Sequence, residues 1–429
     1  MKIYTTKALI ALACLHLMIG VINNCSIKES GGIPGPSAPP ILYKITITGY
    51  GSVKLYWAED TIGPAGTISY DIYMGGKKIA SATTPPNSNN GTEYVYGSYV
   101  INGLNIDTLY CFQVGGRNFY PISFPKCITT WPVYTVPEFP DDIAIDATDN
   151  VWVTGYSYSH TSYVTGLSPT GSIINNYSIG GSTVNPVNIA IDAIGNFWIA
   201  NISGNNVIKL SSSGSIIGYY PVGNQPACIT IDASGNVWVV NVGDNTVTAM
   251  TPTGAVIGTF PVGQQQQPFA IAIDLAGDVW ITNRLDNTVT AMTPTGAVIG
   301  TFPVGQQPSA IAIDPAGNVL VANNGGDTIT ALTPTGSVIT SYTVGHSPRS
   351  IAVDSGGDMW VINGDNTLTA LTLTGSVITS YTVGPSPGNM AIDANGNIWV
   401  EDVYSNFLIE LVGVAKGPQF FPYKGPQWP

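Results

Sequence analysis

Apolar and polar residues alternate along most of this chain in short runs, and Gly, Pro, Asn, Asp and Thr punctuate the runs. A period of two places successive side chains on opposite faces of a strand, so the chain reads as many short strands joined by tight turns. The segment 229–261 predicts strands over Ile229–Ile231, Val237–Asn241, Thr246–Thr251 and Val256–Pro261. Asp-x-x-Gly-Asn joins the first two, Thr-Pro-Thr-Gly ends the third, and Val-Gly-x-x-Pro leads out of the fourth. An Asp side chain caps turn amides and Gly supplies positive φ, which suits both turns.

This unit recurs as hydrophobic-x-hydrophobic-Asp-x-x-Gly-Asn/Asp-x-Trp-Val. Its leading aspartates are Asp146, Asp192, Asp232, Asp274, Asp314, Asp354 and Asp393, spaced 46, 40, 42, 40, 40 and 39 residues apart. A period near 40 with four short strands per copy is the signature of a β-propeller, here with seven blades over residues 133–415. The seventh copy stops after its third strand, Phe407–Leu411. Val133-Tyr134-Thr135-Val136-Pro137 matches the fourth strand of other copies, such as Ser341-Tyr342-Thr343-Val344-Gly345. An N-terminal strand that completes the last blade would remove the open edge. Trp152, Trp198, Trp238, Trp280, Trp360 and Trp399 share one repeat position, with Leu320 in the remaining copy, which predicts packing between blades. Each turn offers one Asp and one Asn or Asp, fewer converging oxygens than calcium needs, so the expected role of the repeat Asp is the turn itself.

Residues 41–131 carry seven further alternating runs, the size of a β-sandwich. Trp57, Tyr70 to Tyr73, and Leu104-x5-Tyr110-x-Phe112-x-Val114-x3-Asn118 make this segment resemble a fibronectin type III domain. The expected fold class is therefore all-β: a fibronectin type III-like β-sandwich followed by a seven-bladed β-propeller. That resemblance implies a spacer, with Cys111 and Cys127 cross-linking its last two strands as a disulfide.

The first 25 residues read as an export signal, with Lys2 and Lys7 ahead of the apolar run Ala8 to Ile22. That run is shorter than the roughly 20 residues of a membrane span. It ends at Ile22-Asn23-Asn24-Cys25, which resembles a bacterial lipobox with Asn24 where Gly, Ala or Ser is usual. Lipidation at Cys25 and plain secretion both stay open. Residues 26–40 then form a Gly/Pro/Ser-rich tether, and residues 416–429 an aromatic tail with no readable motif. Both export readings place a monomer in the cell envelope or outside the cell, touching membrane only through such an anchor. Where thiols oxidise, Cys228 is left over, and a buried, inert thiol is expected there.

Charged residues make up only 9% of the chain, against a usual quarter or so. With 14 basic residues and a net charge of −12, the chain has no basic patch for nucleic acid.

The propeller repeat is similar to the NHL family, and most of all to the virginiamycin B lyase type of propeller. The shared residues are Pro-x-x-Ile-x-hydrophobic followed by Gly-x-hydrophobic-Trp-hydrophobic, over about 280 residues. The resemblance implies a general-base His directly after the repeat Pro, a Glu three residues after the Trp, and magnesium nearby. The positions after Pro are Asp141, Val187, Ala227, Phe269, Ser309, Arg349 and Gly388. Those three after the Trp, or after Leu320, are Gly155, Asn201, Asn241, Asn283, Asn323, Asn363 and Asp402. Outside the signal the only histidines are His160 and His346. The resemblance therefore carries the fold, and the lyase chemistry finds no matching residues.

Two features mark the face where function usually sits. Asn201, Asn241, Asn283, Asn323 and Asn363 occupy equivalent positions, either tying their own loops or forming a ring for a ligand. His346, Arg349, Glu401, Asp402, Asp141 and Asp142 concentrate charge where blades six, seven and one meet. They read either as salt bridges that close the ring or as a site for a small polar ligand or cation. The expected function is an exported, non-enzymatic binding protein whose propeller takes a protein, a carbohydrate or another small polar ligand. The alternative is a lyase-like or hydrolytic enzyme. No cofactor and no metal ligand set is assigned; magnesium or calcium enters only under that alternative.

Overall fold

A computed structural model describes residues 41–415, apart from 50–51, 61–67, 75–76, 85–93, 102–107, 117–125, 137–138, 158–160, 182, 264–266, 385 and 404–406. The signal, Cys25, the tether, His160 and the aromatic tail lie outside the described residues. Every described element is a strand.

Twenty-eight strands form seven antiparallel four-stranded sheets, the blades of a propeller. Blade 3 shows the pattern, with strands Pro226–Ile231, Val237–Asn241, Thr246–Met250 and Val256–Pro261 paired in sequence order. The first strand starts three residues earlier than the alternation predicts. Pro226 lacks an N–H, and the ladder shifts register between Pro226 and Cys228, so the proline heads the strand without losing a ladder bond. The third strand ends one residue early because Thr251 joins the turn, its Oγ1 accepting from Ala255 N at 3.1 Å.

Blade 7 takes Pro387–Ile392, Ile398–Asp402 and Phe407–Leu411 from the C-terminal end and Val133–Thr135 from the N-terminal end. Phe407, Leu408 and Ile409 pair antiparallel with Thr135, Tyr134 and Val133. Tyr134 also donates its hydroxyl to Glu410 Oε2 at 2.7 Å. The ring is thus closed by the strand that the repeat pattern assigns to it.

The repeat turn does more than the sequence suggests. Asp232 Oδ1 accepts from Ser234 N and Asn236 N, both at 2.8 Å. Its Oδ2 accepts from Asn236 Nδ2 at 2.9 Å and from Trp238 Nε1 at 3.0 Å. Four donors occupy the carboxylate, and Gly235 takes the positive φ of 80° that the turn needs. The aspartate is therefore both the turn cap and the acceptor for a buried indole. Trp238 in turn packs with Val240 and Val247 of its own blade and with Ile271, Val279 and Ile281 of blade 4. Asp232→Ala strands the Trp238 N–H in the core and frees three turn donors. It is expected to cost about 2–4 kcal/mol, read as a lower midpoint in urea unfolding.

Blades 3 and 4 are nearly copies of each other. Residues 244–265 and 286–307 are identical. Their described strands pair the same way, with Met250 opposite Val256 in one blade and Met292 opposite Val298 in the other.

Ahead of the propeller, residues 41–130 hold seven strands: Ile41–Gly49, Ser52–Asp60, Ile68–Met74, Lys77–Thr84, Tyr94–Ile101, Thr108–Gly116 and Lys126–Thr130. They form a three-stranded sheet in order first-second-fifth and a four-stranded sheet in order fourth-third-sixth-seventh. Cys111 and Cys127 stand directly opposite each other in the last pair of strands.

Candidate functional site: the mouth of the propeller channel

The first strands of the seven blades line a central cavity of about 1190 Å³. Each is led in by a residue whose carbonyl accepts from the backbone at or just past the end of the second strand. Val242 N donates to Gln225 O at 3.0 Å and Val403 N to Ser386 O at 3.0 Å. This clamp fixes where the proline and the two residues after it enter the channel. The third residue after each proline is Ile143, Ile189, Ile229, Ile271, Ile311 or Ile351, with Met390 in blade 7, and these make the walls aliphatic.

The mouth above that shaft is not uniform. The second residue after each proline is Asp142, Asn188, Cys228, Ala270, Ala310, Ser350 and Asn389 in blades 1 to 7. The polar ones stitch neighbouring blades together. Asp142 Oδ2 accepts from Asn188 Nδ2 at 2.6 Å and from Ile189 N at 2.9 Å. Asn188 Oδ1 accepts from Ile229 N at 2.8 Å. Asn389 Nδ2 donates to Asp141 O at 3.1 Å, which joins blade 7 to blade 1.

Glu401 belongs to the second strand of blade 7, yet it lines the channel. It gets there past Gly388, where an added Cβ would stand 2.6 Å from Glu401 Oε1. Its Oε1 accepts from Asn389 N at 2.9 Å. Its Oε2 is buried and has no hydrogen-bond partner. Asp141, Asp142 and Glu401 are close enough to repel one another, and burial acts on all three. Burial raises the Asp141 carboxyl to about 7. Burial also carries Asp142 to about 7, with Asp141 adding repulsion against the backbone N–H donors that oppose it. Glu401 is held well above the usual carboxylate range by burial first and by the charges of Asp142 and Asp141 second.

Of the six charged residues singled out by sequence, the structure brings these three together. Arg349 also lines the cavity and donates from Nη1 to Pro387 O at 3.5 Å. His346 does not join them: it is exposed, with Nδ1 3.1 Å from Asp327 Oδ2 on the preceding blade. Asp402 turns into its own blade, where Oδ2 accepts from Ser386 N at 3.0 Å. Neighbours on a strand face opposite sides, so Glu401 and Asp402 part company. Among the described residues no ion pair links Asp141, Asp142 or Glu401 to Arg349, so hydrogen bonds and not salt bridges join the terminal blades here.

The five asparagines are buried inside their blades. Asn241 Nδ2 donates to Thr246 Oγ1 at 3.0 Å and Thr248 Oγ1 at 2.9 Å, and Asn283, Asn323 and Asn363 repeat this arrangement. Asn201 instead accepts from Asn185 N at 2.9 Å and donates to Asn206 Oδ1 at 3.1 Å. They tie their own loops and do not line the channel. Cys228 is half-buried at the channel wall, and burial pushes its thiol up to about 12, so it stays protonated.

Sequence reasoning missed Asn188, Asn389 and Gly388. The available signal was their register, one or two residues after the repeat proline. The magnesium implied by resemblance does not fit these residues. Among the described residues no group of three or more His, Cys, Asp or Glu is placed to hold a metal ion, and the matching base and Glu positions carry other side chains.

The comparisons with known proteins agree with the architecture. A streptogramin B lyase structure superposes with a TM-score of 0.60 at 18% identity, covering 65% of this chain and 96% of that one. Virginiamycin B lyase from Staphylococcus aureus gives 0.59 at 18% identity, covering 66% and 99%. The WD40 β-propeller domain of Doa1 gives 0.54 at 15% identity, covering 65% and 94%. At such identities the likeness is one of fold. No curated protein sequence matches the chain. The family model does: residues 172–412, more than half of the chain, match virginiamycin B lyase, and the chain belongs to the virginiamycin B lyase family.

Proposed function

We propose that this member of a lyase family is an exported binding protein that takes a small polar ligand at the channel mouth, and that it does not carry out the lyase reaction for which its relatives are named. One observation carries the reading. The mouth departs from its repeat at a cluster of buried carboxyls in blades 7 and 1, while the positions for the base and its Glu partner are filled by other residues in every blade. The fibronectin type III-like segment, closed by Cys111–Cys127, then serves as the spacer that holds the propeller away from the envelope. A lipid on Cys25 would supply the anchor.

Quinupristin, present in a complex of an inactive variant of the Staphylococcus aureus enzyme, is the substrate to test. It is expected to remain intact with this protein, with or without magnesium. The melting temperature is expected to stay the same with magnesium, calcium or chelator. Turnover, or a magnesium-dependent rise in melting temperature lost in Glu401→Gln, would overturn the reading. A second reading has its own support: Asp141 and Asp142 titrate near 7, where a carboxyl can act as general base. Turnover lost in Asp142→Asn would favour it.

A further inference from the structure

We propose that the ligand of the channel mouth is an organic ammonium ion, a primary amine on an apolar body, held by Asp141, Asp142 and Glu401 with its body in the isoleucine-lined shaft. This deepens the binding reading above and rests on it.

Two observations lead to the amine. Glu401 is 1% exposed, lines the channel, and leaves Oε2 without a partner. A buried acceptor without a donor is costly, and a ligand that brings one removes the cost. The half-buried Asp141 side chain receives no hydrogen bond from any described residue. The blade 7 and blade 1 side of the mouth therefore offers carboxyl acceptors, while Arg349 of blade 6 and Arg284 of blade 4 line the same cavity. An ammonium head has three N–H donors and a full positive charge, which fits neighbouring carboxyls that no ion pair among the described residues neutralises.

The second part of the argument separates an amine from a bare metal ion. A divalent cation would need several oxygens in a tight shell. The described side chains give no such set, and Asp142 spends its Oδ2 on Asn188 and Ile189. Immediately below the carboxyls the wall turns to Ile143, Ile189 and Met390. A hydrated ion gains nothing from such a wall, whereas an alkyl or aryl group gains about 25 cal/mol for each Å² it buries.

Gly388 sets the geometry. With no side chain there, the Glu401 carboxylate reaches the cavity; a methyl group would collide with Oε1 and with Val403 Cγ2.

Isothermal titration of the whole protein with 2-phenylethylamine at pH 8 tests the proposal, with 2-phenylethanol and magnesium chloride as controls. The amine is expected to bind and the alcohol and magnesium not to. Glu401→Gln keeps the shape of the side chain and is expected to weaken amine binding at least about tenfold, as the loss of a charge-assisted bond implies. Gly388→Ala is expected to do the same, with both variants melting cooperatively. Equal binding of amine and alcohol, or full binding in folded Glu401→Gln, overturns the inference. A neutral or anionic small molecule that binds, and whose binding is lost in Arg349→Ala but not in Glu401→Gln, would sink the amine and leave the binding reading standing. If a broad small-molecule screen finds nothing that protects the mouth, both fail.

Discussion

Acidifying the ligand-free protein from pH 8 to pH 5 is expected to raise its melting temperature by about 5–10 °C, and Glu401→Gln or Asp142→Asn should flatten that rise. The cause is the carboxyl cluster. Asp141 and Asp142 move from 3.8 to about 7 on folding. A carboxyl whose folded value lies above its unfolded one binds its proton more tightly when folded. Its stabilising contribution is complete below the unfolded value and disappears as the pH rises through the folded one. For one such group the difference between pH 5 and pH 8 is roughly 2–3 kcal/mol, at 1.36 kcal/mol per tenfold change. Glu401 adds in the same direction. Cys228, which faces this cluster, does not cancel it, because its thiol stays protonated throughout. Carboxylates that folding lowers, such as Asp146 among its turn donors and exposed Asp327 beside Ser347 N and His346, lose their contribution only below about pH 4, outside the window. Thermal denaturation at the two pH values, for parent and variants, decides the matter. A parent that melts higher at pH 8 would mean that the carboxyls are not buried together.

A chain that begins at Phe139, without the closing strand, is expected to lose cooperative folding. Val133 and Val136 are buried in the parent, and Trp131 just before them is 5% exposed. Their removal forfeits about 1.5–3 kcal/mol each in apolar burial, before the ladder to Phe407–Ile409 and the Tyr134–Glu410 bond are counted. The sum rivals the 5–15 kcal/mol that a whole domain holds in reserve. The third strand of blade 7 would also become a bare edge, an invitation to pair with another chain. Light scattering and circular dichroism on the truncated chain are expected to show aggregation and loss of the sharp transition. A truncated chain that melts like the parent would refute closure by Val133–Thr135.

The blades, the closing strand and the capped turns were legible because they depend on local, repeated patterns. Period-two alternation, Asp-x-x-Gly-Asn and Thr-Pro-Thr-Gly act over a few residues, so one copy teaches the others. The strand starts were misread because a proline at the head of a strand looks like a terminator until the bulge behind it is seen. The site was half legible. Asp141, Asp142 and Glu401 stood out in a chain so poor in charge. Which of Glu401 and Asp402 looks into the channel depends on strand parity and on the gap at Gly388, which composition does not reveal. The Asp142–Asn188 and Asn389–Asp141 bonds join residues 46 and 248 positions apart. Only the circular arrangement of blades brings them together. His346 was misplaced because its exposed ring is held by Asp327 of the preceding blade.

The copied sequence in blades 3 and 4 bears on how the chain finds its fold. The third strand of blade 3 would form the same ladder with Val298–Pro303 as with its own Val256–Pro261, since the side chains are identical. What separates the two pairings is the size of the loop between them. Stretching a connection from about 5 residues to nearly ten times that length costs only about 2 kcal/mol of loop-closure entropy. A short hairpin also closes in microseconds, well before distant strands meet. The Thr-Pro-Thr-Gly turn is thus a timing device that lets each blade claim its own outer strand before an indistinguishable neighbour arrives.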